Sequence, residues 1–304
     1  MNTPCTPVRV FKRSIFVKLE YLQVGGSHKA RAAKRVISDA ESSGLLRRDG
    51  KHLIIEKSGG NFGVGLASHG IPAGYRVKLV VRPSFSGFRR YLLTQLGVDL
   101  IGRQEMVSGS SNQQIIDLYI EKYRRDGLVP FFSDQFNNRS CIKAHESGAD
   151  ELVRQLFSCG VSARENLTLV KCVGSGASLC AYSRVLRKGF PNLKVVVVQP
   201  EGCDFIKEVF ATHPFEGASV GLVPPFLAEA PVDEYVTVKH EDAIAASAEL
   251  FSDTGVFGGR TTGLAFAGAK QIAERAAGPT VMLAYDAGET YTADAYRRTG
   301  NLHD

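Results

Sequence analysis

Short aliphatic, β-branched runs alternate along nearly the whole chain with longer segments whose apolar positions recur every three or four residues. The short runs predict strands over residues 15–19, 52–56, 77–82, 99–102, 130–132, 168–173, 194–199 and 280–285. The longer segments predict helices. Ser27 stands where a side-chain cap would open one running through Ala30, Ala33 and Ile37 towards Gly44, and others are predicted over 89–96, 112–126, 141–156 and 241–252. Strands that alternate with helices build parallel sheets, so the pattern implies an α/β fold. No repeat and no low-complexity linker interrupts it, so composition marks no domain boundary.

A chain of 304 residues gives a prior of two domains or one large one. With 44% hydrophobic and 22% charged residues, disordered, collagen-like and coiled-coil classes are set aside. The formal net charge of +6 leaves an anionic partner open, but the basic residues are scattered pairs such as Arg47/Arg48, Arg89/Arg90, Arg124/Arg125 and Arg297/Arg298. No basic run tracks a phosphate backbone, and nucleic acid is not an expected partner. The six cysteines form no Cys-x-x-Cys pair, nothing resembles a secretory signal, and no apolar stretch has membrane-spanning length. Reduced thiols and a cytoplasmic location are expected, with no membrane partner.

Three glycine-bearing turns sit where chemistry is usually placed: Gly25-Gly26-Ser27-His28-Lys29, Glu56-Lys57-Ser58-Gly59-Gly60-Asn61-Phe62-Gly63, and Gly174-Ser175-Gly176-Ala177-Ser178. The third follows an apolar strand and enters a helix, so its backbone N–H groups can converge on a phosphate, with Ser175 and Ser178 adding hydroxyls. A Gly-x-Gly turn also serves close strand–helix packing. The spacing lacks the third glycine of a dinucleotide fingerprint and the Gly-Lys-Ser/Thr of a P-loop, which argues against NAD and ATP. Lys29 falls in a first helical turn, where the macrodipole disfavours a cation and favours the amine. A lysine nucleophile and a phosphate loop in one chain point to pyridoxal phosphate. No His-Glu-x-x-His, Gly-x-Ser-x-Gly or paired-carboxylate pattern is present, and no metal is expected.

These motifs resemble those of the fold-type II pyridoxal-phosphate enzymes, and within them the cysteine synthase group, over nearly the whole chain. Thr6-Pro7-Val8-Arg9, Lys18-Leu19-Glu20 and Gly25 through Arg31 resemble the family's opening segments, and place Lys29 on the Schiff-base lysine. Residues 56–63 resemble the loop that holds the substrate carboxylate, so Ser58, Gly59, Gly60 and Asn61 become substrate contacts, with Asn61 also meeting the cofactor ring. Gln135, in Asp134-Gln135-Phe136-Asn137-Asn138, resembles the glutamine that meets the same carboxylate. Gly174, Ser175, Gly176, Ala177 and Ser178 resemble the phosphate cup, and residues 217–221 a segment lining the entrance. Residues 258–263 and 286–291 resemble two further motifs, which puts Asp286 and Ala287 beside the cofactor. The resemblance implies two α/β domains, each a mostly parallel sheet flanked by helices, with the cofactor in the cleft between: residues 36–141 as the smaller domain, 1–35 with 142–304 as the larger. It also implies a homodimer.

The departures bear on specificity. Ala287 stands where many members carry a serine at the pyridine nitrogen, which leaves Asp286, Thr261 or water for that position. Lys57 replaces a small residue, Gly59 a serine and Phe62 a threonine, while Arg260 adds a charge near the predicted cup. Lys57 and Arg260 either face solvent or recognise a second anionic group. The resemblance implies β-replacement on a β-activated serine, O-acetylserine or O-phosphoserine, through an aminoacrylate, with sulfide or an amine as nucleophile. Two alternatives stay open: a β-eliminating serine or threonine deaminase, and an inert relative that acts by binding a partner.

Overall fold

Apolar runs become strands and amphipathic segments become helices in the computed structural model, which describes residues 2–10, 13–82 and 87–291. In chain order the elements are Cys5–Val10 (β1), Arg13–Leu19 (β2), Lys29–Ser42 (α1), His52–Glu56 (β3), Asn61–Gly70 (α2), Arg76–Val80 (β4), Gly87–Gln95 (α3), Asp99–Ile101 (β5), Arg103–Val107 (α4), Asn112–Arg125 (α5) and Val129–Phe132 (β6). There follow Ser140–Ser158 (α6), Thr168–Cys172 (β7), Ala177–Gly189 (α7), Lys194–Pro200 (β8), Cys203–Asp204 (β9), Val209–Phe210 (β10), Glu234–Val238 (β11), His240–Thr254 (α8), Arg260–Ala273 (α9) and Thr280–Ala284 (β12). Arg297 and Arg298 lie outside the described residues. No described helix is long and apolar enough to cross a membrane.

The chain divides into two compact units, Val24–Ala144 in one and Met1–Gln23 with His145–Tyr291 in the other. The smaller unit has a parallel sheet in the order β5-β4-β3-β6. Helix α1 belongs to this unit, so its boundary falls at Val24 and not at the expected Val36, and its end at Ala144 and not at Cys141. The reason is packing. Gly65 of α2 has no side chain where a Cβ would stand 3.0 Å from the Ala33 Cβ and 3.1 Å from the Ala30 Cα, so α1 lies close against α2. Ser27 is a second correction: α1 opens at Lys29 with His28 at the cap position and no side-chain cap bond. The buried Ser27 hydroxyl has no partner among the described residues.

The larger unit has a six-stranded sheet in the order β1-β2-β12-β7-β8-β11, parallel except for β1 against β2. Its central strands are buried on both faces, as covered parallel sheets require, and Val195 through Val198 have no exposed surface. Glycines let helices approach: a side chain at Gly268 would strike Val198 of β8, and one at Gly263 would strike Ser247 and the Ala243 carbonyl of α8. The amino-terminal segment is tied down by a buried polar cluster. Lys18 Nζ donates to the Thr3 carbonyl at 2.6 Å, to Glu151 Oε2 at 2.9 Å and to Gln155 Oε1 at 2.9 Å, and Thr3 Oγ1 donates to Glu20 Oε1 at 2.7 Å. Strands β1 and β11 and helix α9 were not expected from the pattern; β1 and β11 are the two edges of the sheet.

Candidate active site

In the smaller unit, three loops at the carboxyl ends of parallel strands or the heads of helices carry the predicted residues. Lys29 is the first residue of α1. Burial is the main force holding its ammonium below the ordinary lysine range, and the nearby Cys141 and Glu56 oppose it only in part. Burial in turn pushes the Cys141 thiol up to about 12, so this cysteine is a thiol and no nucleophile.

Glu56, at the end of β3, is fully buried and joins the loop that leads into α2 to the Gln135 loop. Its Oε1 accepts the Lys57 N–H at 2.9 Å, and its Oε2 accepts the Ser133 hydroxyl at 2.6 Å and the Gln135 N–H at 3.3 Å. Desolvation raises its carboxyl to about 7 despite those three bonds. The Gln135 turn is held from within: Asp134 adopts φ 44°, the Asn137 amide donates to both Asp134 carboxylate oxygens at 3.0 Å, and the Asn138 amide donates to the Ser133 carbonyl at 3.0 Å.

Ser58, Gly59 and Gly60 lead into α2, with Gly60 at its cap position and no side-chain cap bond. A Cβ on Gly60 would meet nothing within 4 Å, so the backbone there faces open space. At Gly63, by contrast, it would stand 2.8 Å from Leu79 Cδ1 and strike the Ser58 carbonyl, which is what folds the loop tightly. Asn61 Oδ1 accepts from the buried Arg89 Nη1 at 2.9 Å, which fixes the amide and turns its NH₂ to serve another acceptor. Lys57 is drawn elsewhere: its ammonium donates to Gln113 Oε1 at 2.6 Å and lies 5.5 Å over the Phe132 ring.

In the larger unit, β7 runs into the turn Gly174-Ser175-Gly176 and then α7, which starts at Ala177. Gly176 is left-handed at φ 83°, and α7 has no side-chain cap, so the first-turn N–H groups of Ala177 and Ser178 are left for an anion. A Cβ on Gly174 would stand 2.8 Å from the Gly217 carbonyl, and one on Gly176 2.8 Å from the Leu227 N, which is why both are glycine. Residues 217–221 therefore lie directly against this turn, and Ser219 N donates to the Val173 carbonyl at 2.8 Å.

Asp286, Ala287, Thr261 and Arg260 gather near the head of α9. The Gly259 N–H donates to the Asp286 carbonyl at 2.8 Å, Gly258 bridges Ala287, and the Asp286 carboxylate accepts the Tyr291 hydroxyl at 2.5 Å. Arg260 stacks its guanidinium 5.3 Å over the Tyr291 ring. Among the described residues no group of three or more His, Cys, Asp or Glu could hold a metal ion.

Residues 1–285 match the family described as "Pyridoxal-phosphate dependent enzyme". The chain belongs to that family. The enzyme is 29% identical to a probable cysteine synthase of Bacillus subtilis over 91% of this chain and 88% of that protein. It is 30% identical to the O-ureido-L-serine synthase of Streptomyces lavendulae, over 91% and 83%. A crystal structure of O-ureido-L-serine synthase superposes with TM-score 0.86 at 28% identity, covering 99% of this chain and 94% of the other. The two-unit α/β architecture is the one the family resemblance implied.

The residues of this pyridoxal-phosphate enzyme fit the cofactor they would hold. The uncapped head of α7, with Ser175 and Ser178 beside it, is a donor set for a phosphate, and Lys29 is a lysine held towards its amine form. Gly176→Ala tests the cup. A left-handed alanine costs about 1–2 kcal/mol, and its methyl would crowd the Leu227 N. A lower melting temperature and a right-shifted cofactor titration are the expected results. Glu56 and Arg89 were not singled out from sequence; a glutamate ending a strand and an arginine in a helix carry no local mark of their partners.

Proposed function

We propose that the enzyme catalyses β-replacement on a β-activated serine of the O-acetylserine kind, with sulfide or an amine as the incoming nucleophile. The observation that carries this is Lys29, a partly buried lysine at the head of α1 whose ammonium desolvation holds below its ordinary range. The names of the relatives, a cysteine synthase and an O-ureido-L-serine synthase, support the same reaction class.

Bound pyridoxal phosphate supplies an electron-withdrawing ring that acidifies the substrate Cα. The chain's own residues do the rest. Lys29 Nζ, as an amine, takes the Cα proton and afterwards returns one, which needs the low proton affinity that burial gives it. Ser58, Gly60, Asn61 and Gln135 hold the substrate carboxylate, with backbone N–H groups at the head of α2 and side-chain donors beside them. Glu56 keeps the two carboxylate-binding loops in one arrangement. Gly174, Ser175, Gly176, Ala177 and Ser178 hold the phosphate; Asp286 and Ala287 lie beside the ring, and Arg260 stays with Tyr291.

Gly60→Ala isolates the substrate loop. The added methyl meets no protein atom within 4 Å, so the fold accepts it, while it enters the space assigned to the carboxylate. An unchanged melting temperature with KM raised about tenfold, the worth of one lost charge-assisted hydrogen bond, is expected. The reaction itself is tested with purified holoenzyme given O-acetylserine, O-phosphoserine or serine, each with and without sulfide. Cysteine formed from O-acetylserine and sulfide is the expected product. Keto acid and ammonia released without incorporation of a nucleophile would place the enzyme among the deaminases.

A further inference from the structure

Lys171 has no exposed surface, yet it lies on β7, a strand whose other residues are Thr168, Leu169, Val170 and Cys172. Its ammonium sits between two rings, 4.9 Å from the centroid of Tyr182 on α7 and 4.7 Å from that of Tyr285 at the end of β12. It also donates to Ser178 Oγ at 2.7 Å. The Tyr285 ring is pinned at both ends, because its hydroxyl accepts the Cys172 N–H at 2.8 Å and its own N–H donates to Thr262 Oγ1 at 3.0 Å.

This is an unexpected place for a cation. It lies beside the first turn of α7, where the macrodipole already presents partial positive charge, so the two together attract an anion. Two aromatic faces offset part of the desolvation cost, since a ring face attracts an ammonium most strongly away from water. The hydrogen bond sets a direction. A serine hydroxyl has one proton to give, and an ammonium has only protons, so Ser178 Oγ must accept from Lys171 and turn its own proton away. Ser178 is 9% exposed and Lys171 not at all, so the serine can meet a ligand and the lysine cannot.

We propose that Lys171 is a positioning residue for the cofactor's phosphate: it orients the Ser178 hydroxyl as a donor into the Gly174–Ser178 turn and adds a buried positive charge that favours the dianion. This rests on the phosphate-cup assignment above. The same pinned Tyr285 precedes Asp286 and Ala287 in the chain, so the cation ties the cup to the segment assigned to the ring.

The test compares pyridoxal phosphate with pyridoxal, which lacks only the phosphate. Full-length protein stripped of cofactor is titrated with each, as wild type, Lys171→Met, Ser178→Ala and the double variant. In wild type, tighter binding of pyridoxal phosphate than of pyridoxal reads the cup itself; equal binding would refute the cup assignment and leave Lys171 aside as structural. Given that preference, Lys171→Met is expected to weaken pyridoxal phosphate roughly 10- to 100-fold, the span of a hydrogen bond to a charged group, with pyridoxal unchanged. In the Ser178→Ala background the same change should cost much less, because part of the effect passes through that hydroxyl. Equal weakening of both compounds, or of neither, overturns the proposal. If Lys171→Met does not fold, Lys171→Gln takes its place; it keeps a donor for Ser178 without the charge and must show an intermediate loss.

Discussion

Lys29→Ala is expected to lower kcat by about 10²- to 10⁴-fold, the usual contribution of a positioned proton-transfer group. The same variant should lose the visible absorbance of lysine-bound cofactor. Two features of the site set this size. Lys29 heads α1, close against α2 through Gly65, so no neighbouring lysine on the same helix can reach its place without moving the helix. Its ammonium is held below the ordinary lysine range chiefly by burial, so an exposed amine added elsewhere would be protonated at neutral pH. Stopped-flow measurement of Cα-deuterium exchange, with O-acetylserine, separates loss of proton transfer from loss of binding. A Lys29→Ala protein that still turned over at the wild-type rate would end the assignment of Lys29 as the proton-transfer group.

The second large effect is on stability and comes from Glu56. Burial pushes its carboxyl up to about 7, against an ordinary carboxylate value of about 4.5. Between those values the unfolded chain has released a proton that the folded chain keeps, so stability falls as pH rises from about 4.5 to about 7 and is flat above. The difference amounts to about 3 kcal/mol at 1.36 kcal/mol per pKa unit. Denaturant midpoints of cofactor-free protein at pH 5, 6 and 8 should show that decline, and Glu56→Gln should remove it. A wild-type midpoint unchanged across this range would mean that Glu56 is ionised in the fold throughout.

Much of this was legible in the chain, because long apolar strands and glycine turns are local signals. The run ending at Glu56 gave β3 with its observed bounds, and the Gly-x-Gly turn after the strand at Thr168 marked the head of α7. What escaped was non-local. Strands β1 and β11 are edges whose partly exposed residues dilute the apolar signal. Helix α9 is missed because Gly263 and Gly268, poor helix formers, interrupt its pattern; they are there for contacts with α8 and β8. Ser27 reads as a cap because the type is right, but the chain turns one residue later. Lys171 gave no signal at all. Its meaning depends on Tyr182 and Tyr285, which approach it only once β7, α7 and β12 are assembled.

The order β1-β2-β12 also dictates when the molecule can form during synthesis. Strand β2 pairs in parallel with β12, which is synthesised only after all the chain between them. Among the described residues the smaller unit, Val24–Ala144, is continuous in sequence, so this stretch can fold as soon as it emerges. Strand β2 must wait through the synthesis of that intervening chain with one sheet edge open. A pause or premature stop before Thr280 would leave β2 without that neighbour, in a state that invites capture by a chaperone or by another nascent chain.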